Sequence, residues 1–333
     1  MDWSKGFSAS YHMSIVDPDT WRDTSRVEIT SGSVSYVSTG LRASADVSYR
    51  DFEIGREYWV RVWLTATQGT ETVREALFTG LASSTDVTIN SRRKEYPVQC
   101  YSVLKPAQDT LLIRGWYAPV QTSADVLLRR LLEVCRAPII VEATAPALRN
   151  AIIAQNGESN LSMVDRILTA INWRLMLDGM GNIHLGPKPT AIAATFDPIE
   201  NDVIEPEVKL SRDWFDCPNV FRAVQEDQTA IARDDSEDSF LSTVNRGREI
   251  WMEEDGCEFN DNETIGEYAL RRLKEEQSVA LAVEYKRRFD PNVHVGDVVR
   301  FMYPGAGLEG RYTVLSQSME LGNGATVDEE VIL

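Results

Sequence analysis

Histidine, cysteine and positive charge are all scarce in this chain. Three histidines and four cysteines occur in 333 residues, and 34 Lys and Arg stand against 51 Asp and Glu, a formal net charge of -17. Cys100, Cys135, Cys217 and Cys257 lie far apart and form no C-x-x-C pair, which argues against a structural zinc site and predicts scattered reduced thiols. His12, His184 and His294 fall in a disordered-looking start, a hairpin strand and a turn. None belongs to H-E-x-x-H or stands beside a serine elbow, so acid–base or metal work by them is not expected. The shortage of basic residues argues against nonspecific attraction to DNA or to an anionic membrane, since either needs a basic face. No apolar run reaches the ~18 residues of a membrane-spanning helix. The opening MDWSKGFSASYHMS has neither a basic nor an apolar leader region, so synthesis in the cytoplasm is expected. Without secretion, the sequons at Asn160 and Asn262 carry no meaning.

What is present suffices for a sizeable core: 43% of residues are hydrophobic, and the length allows two or three domains. Residues 26–117 read as short strands. Val34, Tyr36, Val47, Tyr49, Leu77, Phe78, Ile89 and Val98 sit in runs punctuated by Gly32, Gly40, Gly55, Gly69 and Gly80. This predicts a mainly antiparallel barrel or sandwich. Within Tyr58-Trp59-Val60-Arg61-Val62-Trp63-Leu64, alternation sets Trp59, Arg61 and Trp63 opposite Tyr58, Val60, Val62 and Leu64. Both faces must be covered, within the fold or by a partner. Trp59 and Trp63 are the candidate interface residues, with ligand stacking as the alternative use of the pair.

From residue 123 to about 189 the period changes. Val126, Leu127, Leu131, Val134 and Cys135 trace one helix ended by Pro138, and Leu161, Val164, Leu168 and Ile171 trace another opened by Ser159-Asn160. Strands follow at residues 139–142 and, as a hairpin across Asp178-Gly179-Met180-Gly181, at 173–177 and 182–185. Residues 197–263 are acidic, with strands at 220–224 and 248–252. Thr264-Ile265-Gly266-Glu267 has the form of a capping box, and Ile265, Tyr268, Ala269 and Leu273 continue it as an amphipathic helix. Leu281, Val283 and Tyr285 then alternate as a strand, Asp290-Pro291-Asn292 stops it, and Val295-Gly296-Asp297 turns the chain into Val298–Phe301. The fold class is therefore mainly β with an α+β insert. A first barrel-like β-domain (1–122) and a second that includes the acidic loop and capped helix (191–333) flank a small α/β module (123–190).

Chemical motifs are weak. Gly305-Ala306-Gly307-Leu308-Glu309-Gly310 matches G-x-G-x-x-G, but a strand rather than a helix follows, so it reads as a hairpin loop and no dinucleotide is expected. Asp234-Asp235-Ser236-Glu237-Asp238 lacks the central glycine and terminal glutamate of an EF-hand and reads as a solvated acidic loop. Paired carboxylates for glycoside hydrolysis are defined by spatial separation, which composition does not give. No catalytic residue, cofactor or metal is assigned.

Three stretches resemble the baseplate or tail hub proteins of long-tailed bacteriophages and related tail-like particles. These are Glu75-Ala76-Leu77-Phe78-Thr79-Gly80-Leu81 with Tyr96-Pro97-Val98-Gln99-Cys100-Tyr101-Ser102; the helix and hairpin of residues 158–187; and residues 239–301, read as a strand ending in Arg248, the capped helix, a long strand, Asp-Pro and Val-Gly-Asp-Val-Val. The resemblance implies a non-enzymatic structural protein of the virion tail. It would be a homotrimer whose two barrels per chain form a near-sixfold ring. Its implied partners are the tail tube or a distal tail protein, a central spike, tip or fibre protein, and the tape-measure protein, with DNA in passage but not bound. Asp234, Asp235, Glu237 and Asp238 are the candidate channel-lining residues, chosen for charge density. A secretion-system spike base of the same fold is an open variant. A monomeric carbohydrate-binding or glycan-cleaving tip protein is the alternative from another class.

Overall fold

A computed structural model of the protein describes residues 1–50, 56–85, 87–90, 93–197 and 204–333. Gly55, expected as a hairpin glycine, and residues 198–203 of the acidic stretch lie outside these.

The first unit consists of β1 (Ser8–Asp17), β2 (Arg22–Val37), β3 (Ala43–Tyr49), β4 (Tyr58–Gln68), β5 (Glu71–Thr85), β6 (Thr88–Asn90) and β7 (Arg93–Ser102). The order β1-β4-β5-β7-β3-β2 returns to β1 through antiparallel pairing, so these six strands close a barrel while β6 pairs only with β7. Closure removes the free edges that an open sheet leaves. Alternation does the filling: Val60, Val62, Leu64 and Ala66 of β4 and Ala45, Val47 and Tyr49 of β3 are buried. His12 belongs to β1 and is 1% exposed, so the expected disordered start is instead a barrel strand. Its Ser, Ala and Tyr residues hid the alternation, and pairing with β2 on one side and β4 on the other fixes it.

The middle unit runs α1 (Lys105–Asp109), β8 (Tyr117–Ala118), α2 (Ala124–Leu132), β9 (Ile139–Val141), β10 (Ile152–Ile153), α3 (Asn160–Ile171), β11 (Trp173–Leu177) and β12 (Ile183–Pro187). The Ser159 hydroxyl accepts the Ser162 N–H at 3.2 Å to start α3, and Asn172 in the left-handed region ends it. Helix α2 presents Leu127, Leu128, Leu131 and Leu132 to the core, whereas Val126 is 57% exposed, so its buried face is rotated from the expected one. The expected hairpin is present as β11–β12, but with Leu177 opposite Ile183, so that Asn182 belongs to the turn instead of the second strand, and β9 adds in parallel.

The last unit contains β13 (Ile192–Phe196), β14 (Ile204–Arg212), β15 (Val220–Gln225), β16 (Gln228–Arg233), α4 (Thr243–Arg246), β17 (Trp251–Asp255), α5 (Ile265–Ser278), β18 (Leu281–Arg288), β19 (Val298–Tyr303), β20 (Leu308–Glu320) and β21 (Thr326–Ile332). A sheet of order β13-β19-β20-β21-β18-β14 curls around Phe196, Val283, Tyr285, Val299, Phe301, Tyr312 and Val331, with Val208 and Leu210 of β14 on the same core. The acidic loop and the capped helix, expected as parts of the second β-domain, form a layer of their own inserted between β14 and β18. It is the sheet β16-β15-β17 with α5 packed on Phe221, Ala223, Ala232 and Phe259. The capping box is formed: Thr264 Oγ1 accepts the Glu267 N–H at 3.3 Å and the Glu267 carboxylate accepts the Thr264 N–H at 2.8 Å. In place of the strand expected to end at Arg248, a Ser242-capped turn, α4, ends at left-handed Gly247 and β17 begins four residues later. Gly310 lies in the β19–β20 hairpin, opposite Phe301.

The two barrel units share one sheet. Residues 33–37 of β2 pair antiparallel with residues 316–320 of β20, whose earlier residues pair with β19.

Candidate assembly surfaces and the cleft between the units

The β4–β5 face that carries Trp59 and Trp63 is lined by the chain itself. Arg61, 1% exposed, donates to Asp23 Oδ1 (2.7 Å), to Thr79 Oγ1 (2.9 Å) and to the Met180 carbonyl (3.2 Å). Trp63 Nε1 donates to Asp23 Oδ2 at 2.7 Å, its ring lies parallel to His12 at 6.3 Å, and the Arg74 guanidinium stands 4.6 Å above it. Trp59 lies 5.5 Å from Trp21, whose Nε1 donates to the Met180 carbonyl at 2.9 Å. Burial and the charges of Arg26 and Arg74 push His12 down to about 4. It is therefore neutral, and its Nε2 accepts from Arg74 at 3.0 Å.

The cover over this face is the β11–β12 turn. Thr79 Oγ1 donates to the Gly179 carbonyl at 2.8 Å, and a Cβ at Gly179 would stand 1.7 Å from the Ala76 carbonyl oxygen. Only glycine permits that approach. The turn is held from behind by His184, whose Nδ1 lies 3.2 Å from Glu142 Oε1 and whose Nε2 lies 3.1 Å from Asp178 Oδ2. The hydrogen bond to Asp178 raises the His184 pKa above its ordinary value against the opposing effect of burial.

Asp234, Asp235, Glu237 and Asp238 form one loop at the edge of the inserted layer. Asp234 accepts from the Ser236 N–H (3.2 Å), Ser239 Oγ (2.6 Å) and Gln277 Nε2 (3.2 Å), and Asp235 accepts from Thr243 Oγ1. The Glu237 and Asp238 side chains are exposed. Two of these carboxylates thus shape the loop and two face solvent.

Two features lay beyond sequence reasoning. The first is an aromatic surface on the inserted layer. Phe215 is 68% exposed beside exposed Trp214 and Phe240, the latter two 5.4 Å apart, and the Phe215 carbonyl accepts from Arg246 and Arg248, each at 2.7 Å. These bonds hold the backbone at Phe215, and the Arg248 guanidinium lies 4.8 Å over its ring; exposed aromatics beside arginine are the composition of interface hot spots. The second is a cleft of about 470 Å³ where barrel, hairpin and second barrel meet, lined among others by Trp63, Glu75, Leu77, Met176, Leu177 and Val295. Among the described residues no cluster of His, Cys, Asp and Glu could hold a metal ion, and no helix is long and apolar enough to cross a membrane.

No protein-family model matches the chain, and no curated protein sequence does. Solved structures do. The 43 kDa tail protein of prophage MuSo2 from Shewanella oneidensis superposes with a TM-score of 0.71 at 13% identity, over 97% of this chain and 96% of the other. The tail protein from Neisseria meningitidis MC58 gives 0.71 at 10% identity over the same shares. Prophage tail protein gp18 from Listeria monocytogenes gives 0.61 at 12% identity, over 97% and 94%. At such identities the likeness is one of architecture, and from end to end the chain has the fold of these prophage tail proteins.

Proposed function

We propose that this protein is a structural, non-enzymatic component of a phage-type tail, a hub that joins the tail tube to the central tip. The observation that carries the reading is full-length correspondence in fold with prophage tail proteins, both chains being covered almost completely. This is a fold-level warrant, so the finer parts rest on physical fit.

Two barrels joined in one sheet make a rigid double unit, and three copies would present six barrels to a sixfold tube. A closed ring needs matching surfaces between copies. Trp214, Phe215 and Phe240 suit that contact better than Trp59 and Trp63, whose rings are already engaged within the fold. Asp234, Asp235, Glu237 and Asp238 would face the channel, where carboxylates repel passing phosphate, and the net charge of -17 has the matching sign. The tube or distal tail protein, the spike, tip or fibre protein and the tape-measure protein are the proposed neighbours.

The test is the native mass by light scattering, followed by negative-stain imaging. A ring of three times 37.4 kDa with a central hole is expected. A monomer that adding tube protein does not convert to a ring would overturn the trimeric hub.

A further inference from the structure

We infer that the cleft between the units is a binding site for a basic side chain, lysine or arginine, carried by a partner polypeptide. The charge pattern of its wall supports this. Arg42 is paired with Asp165, Asp178 with His184, and His294 with Asp297. Arg74 lies on the Trp63 ring and donates to His12, and Asp290 is held by Asn292 of its own turn. Glu75 is different: half-buried in β5, its carboxylate has no hydrogen-bond or ion-pair partner among the described residues. Burial raises its pKa, the mark of a charge held away from water without compensation.

The rest of the wall suits the aliphatic stem of such a ligand. Leu77, Met176, Leu177 and Val295 are apolar, and Trp63 and Tyr36 bring aromatic rings to the same space. A long cationic side chain buries its methylenes against apolar surface while its head group seeks a carboxylate. At about 470 Å³ the cleft is within the size range of small-ligand sites. An acidic ligand would meet Glu75 unfavourably, and a purely apolar one would leave that carboxylate desolvated and unpaired.

The probes are N-acetyl-arginine amide and N-acetyl-lysine amide, titrated to millimolar concentration into the full chain and followed by NMR at the Trp63 indole N–H, assigned with Trp63→Phe. N-acetyl-norleucine amide and N-acetyl-glutamine amide are the controls. Both cationic amides are expected to shift the resonance saturably, the controls are not, and Glu75→Gln is expected to weaken the cationic amides at least tenfold. Glu75→Lys, which supplies a cation in the same chain, is expected to abolish binding. Thermal melts of both variants show whether the fold is retained. Absence of saturation, equal binding of a control, or unchanged affinity in a folded Glu75→Gln protein would overturn the assignment, whatever the oligomeric state.

Discussion

Gly179 and Ala76 are in backbone-to-backbone contact: the first stands at the tip of the β11–β12 turn, the second in the wall of the first barrel, and no side-chain carbon fits between them. The contact brings the Gly179 and Met180 carbonyls to Thr79, Arg61 and Trp21. Gly179→Ala is therefore expected to lift the turn from the barrel and cost about 1–3 kcal/mol, as overpacking does. Chemical denaturation measures the loss, and altered Trp fluorescence in the native state would mark displacement at Trp21. Unchanged stability would mean that the turn is not seated there.

Arg287 and Glu329, 1% and 2% exposed, pair at 2.6 Å inside the second barrel, where Tyr285 and Gln317 also donate to Glu329. Removing one charge strands the other in the core. Glu329→Gln should cost about 3–5 kcal/mol, while the double change Arg287→Met with Glu329→Leu should recover much of it. Urea midpoints of the three proteins decide this, and equal midpoints for the single variant and the parent would refute it.

His184 gives the hairpin a pH response. Its folded pKa lies above the ordinary 6.5, so its contribution is complete below about that pH and is lost as pH rises through the folded value. Asp178 behaves oppositely. Although burial raises its pKa, the bonds from His184 and Asn182 leave it below 3.8, so its contribution holds above that pH and fades as pH falls through the folded value. Melting temperature is expected to decline from pH 6.5 upward, and His184→Gln should flatten that decline. A parallel decline in the variant would assign the effect elsewhere.

If the acidic loop faces a DNA channel, as proposed, replacing Asp234, Asp235, Glu237 and Asp238 with Asn or Gln should leave assembly intact and slow DNA ejection from particles carrying the variant. Normal ejection kinetics would remove these residues from the channel. Since Asp234 and Asp235 also shape the loop, the pair Glu237→Gln and Asp238→Asn is the cleaner variant.

Phe215→Ser removes an exposed ring while sparing the carbonyl that Arg246 and Arg248 hold. If the aromatic surface joins copies, the variant should dissociate at concentrations where the parent is trimeric, a loss of about 2 kcal/mol or more at a hot spot. Light scattering across a dilution series reads it, and an unchanged series would place the interface elsewhere.

The parts legible in the sequence are those set by neighbours along the chain. Thr264 and Glu267 stand three residues apart, and Asp178 to Gly181 is a single turn, so both announce themselves. The rest depends on partners hundreds of residues away. Nothing local links Tyr36 to Gln317, yet that pairing joins the two barrels. The sequence required a cover over the face that carries Arg61 between two tryptophans but did not say whether the chain itself or a partner supplies it, because the groups Arg61 meets, Asp23, Thr79 and Met180, come from three different elements. On helix α2 the flanking Val126 and Val134 extended the apolar row of Leu127 and Leu131, which drew the expected face away from the Leu128 and Leu132 side that is buried. Glu75 lies inside a stretch that carries the resemblance, but that it has no partner among the described residues becomes visible only once the cleft walls are in place.

Strand β20 has a mechanical consequence. Because five residue pairs, Ser33–Glu320 to Val37–Ser316, tie β2 to a strand that also belongs to the second barrel, torque applied to one barrel reaches the other through covalent backbone and a ladder loaded along its length. The two cannot swing about a flexible joint without breaking that ladder. A load on either barrel is thus passed on as a rotation of both together.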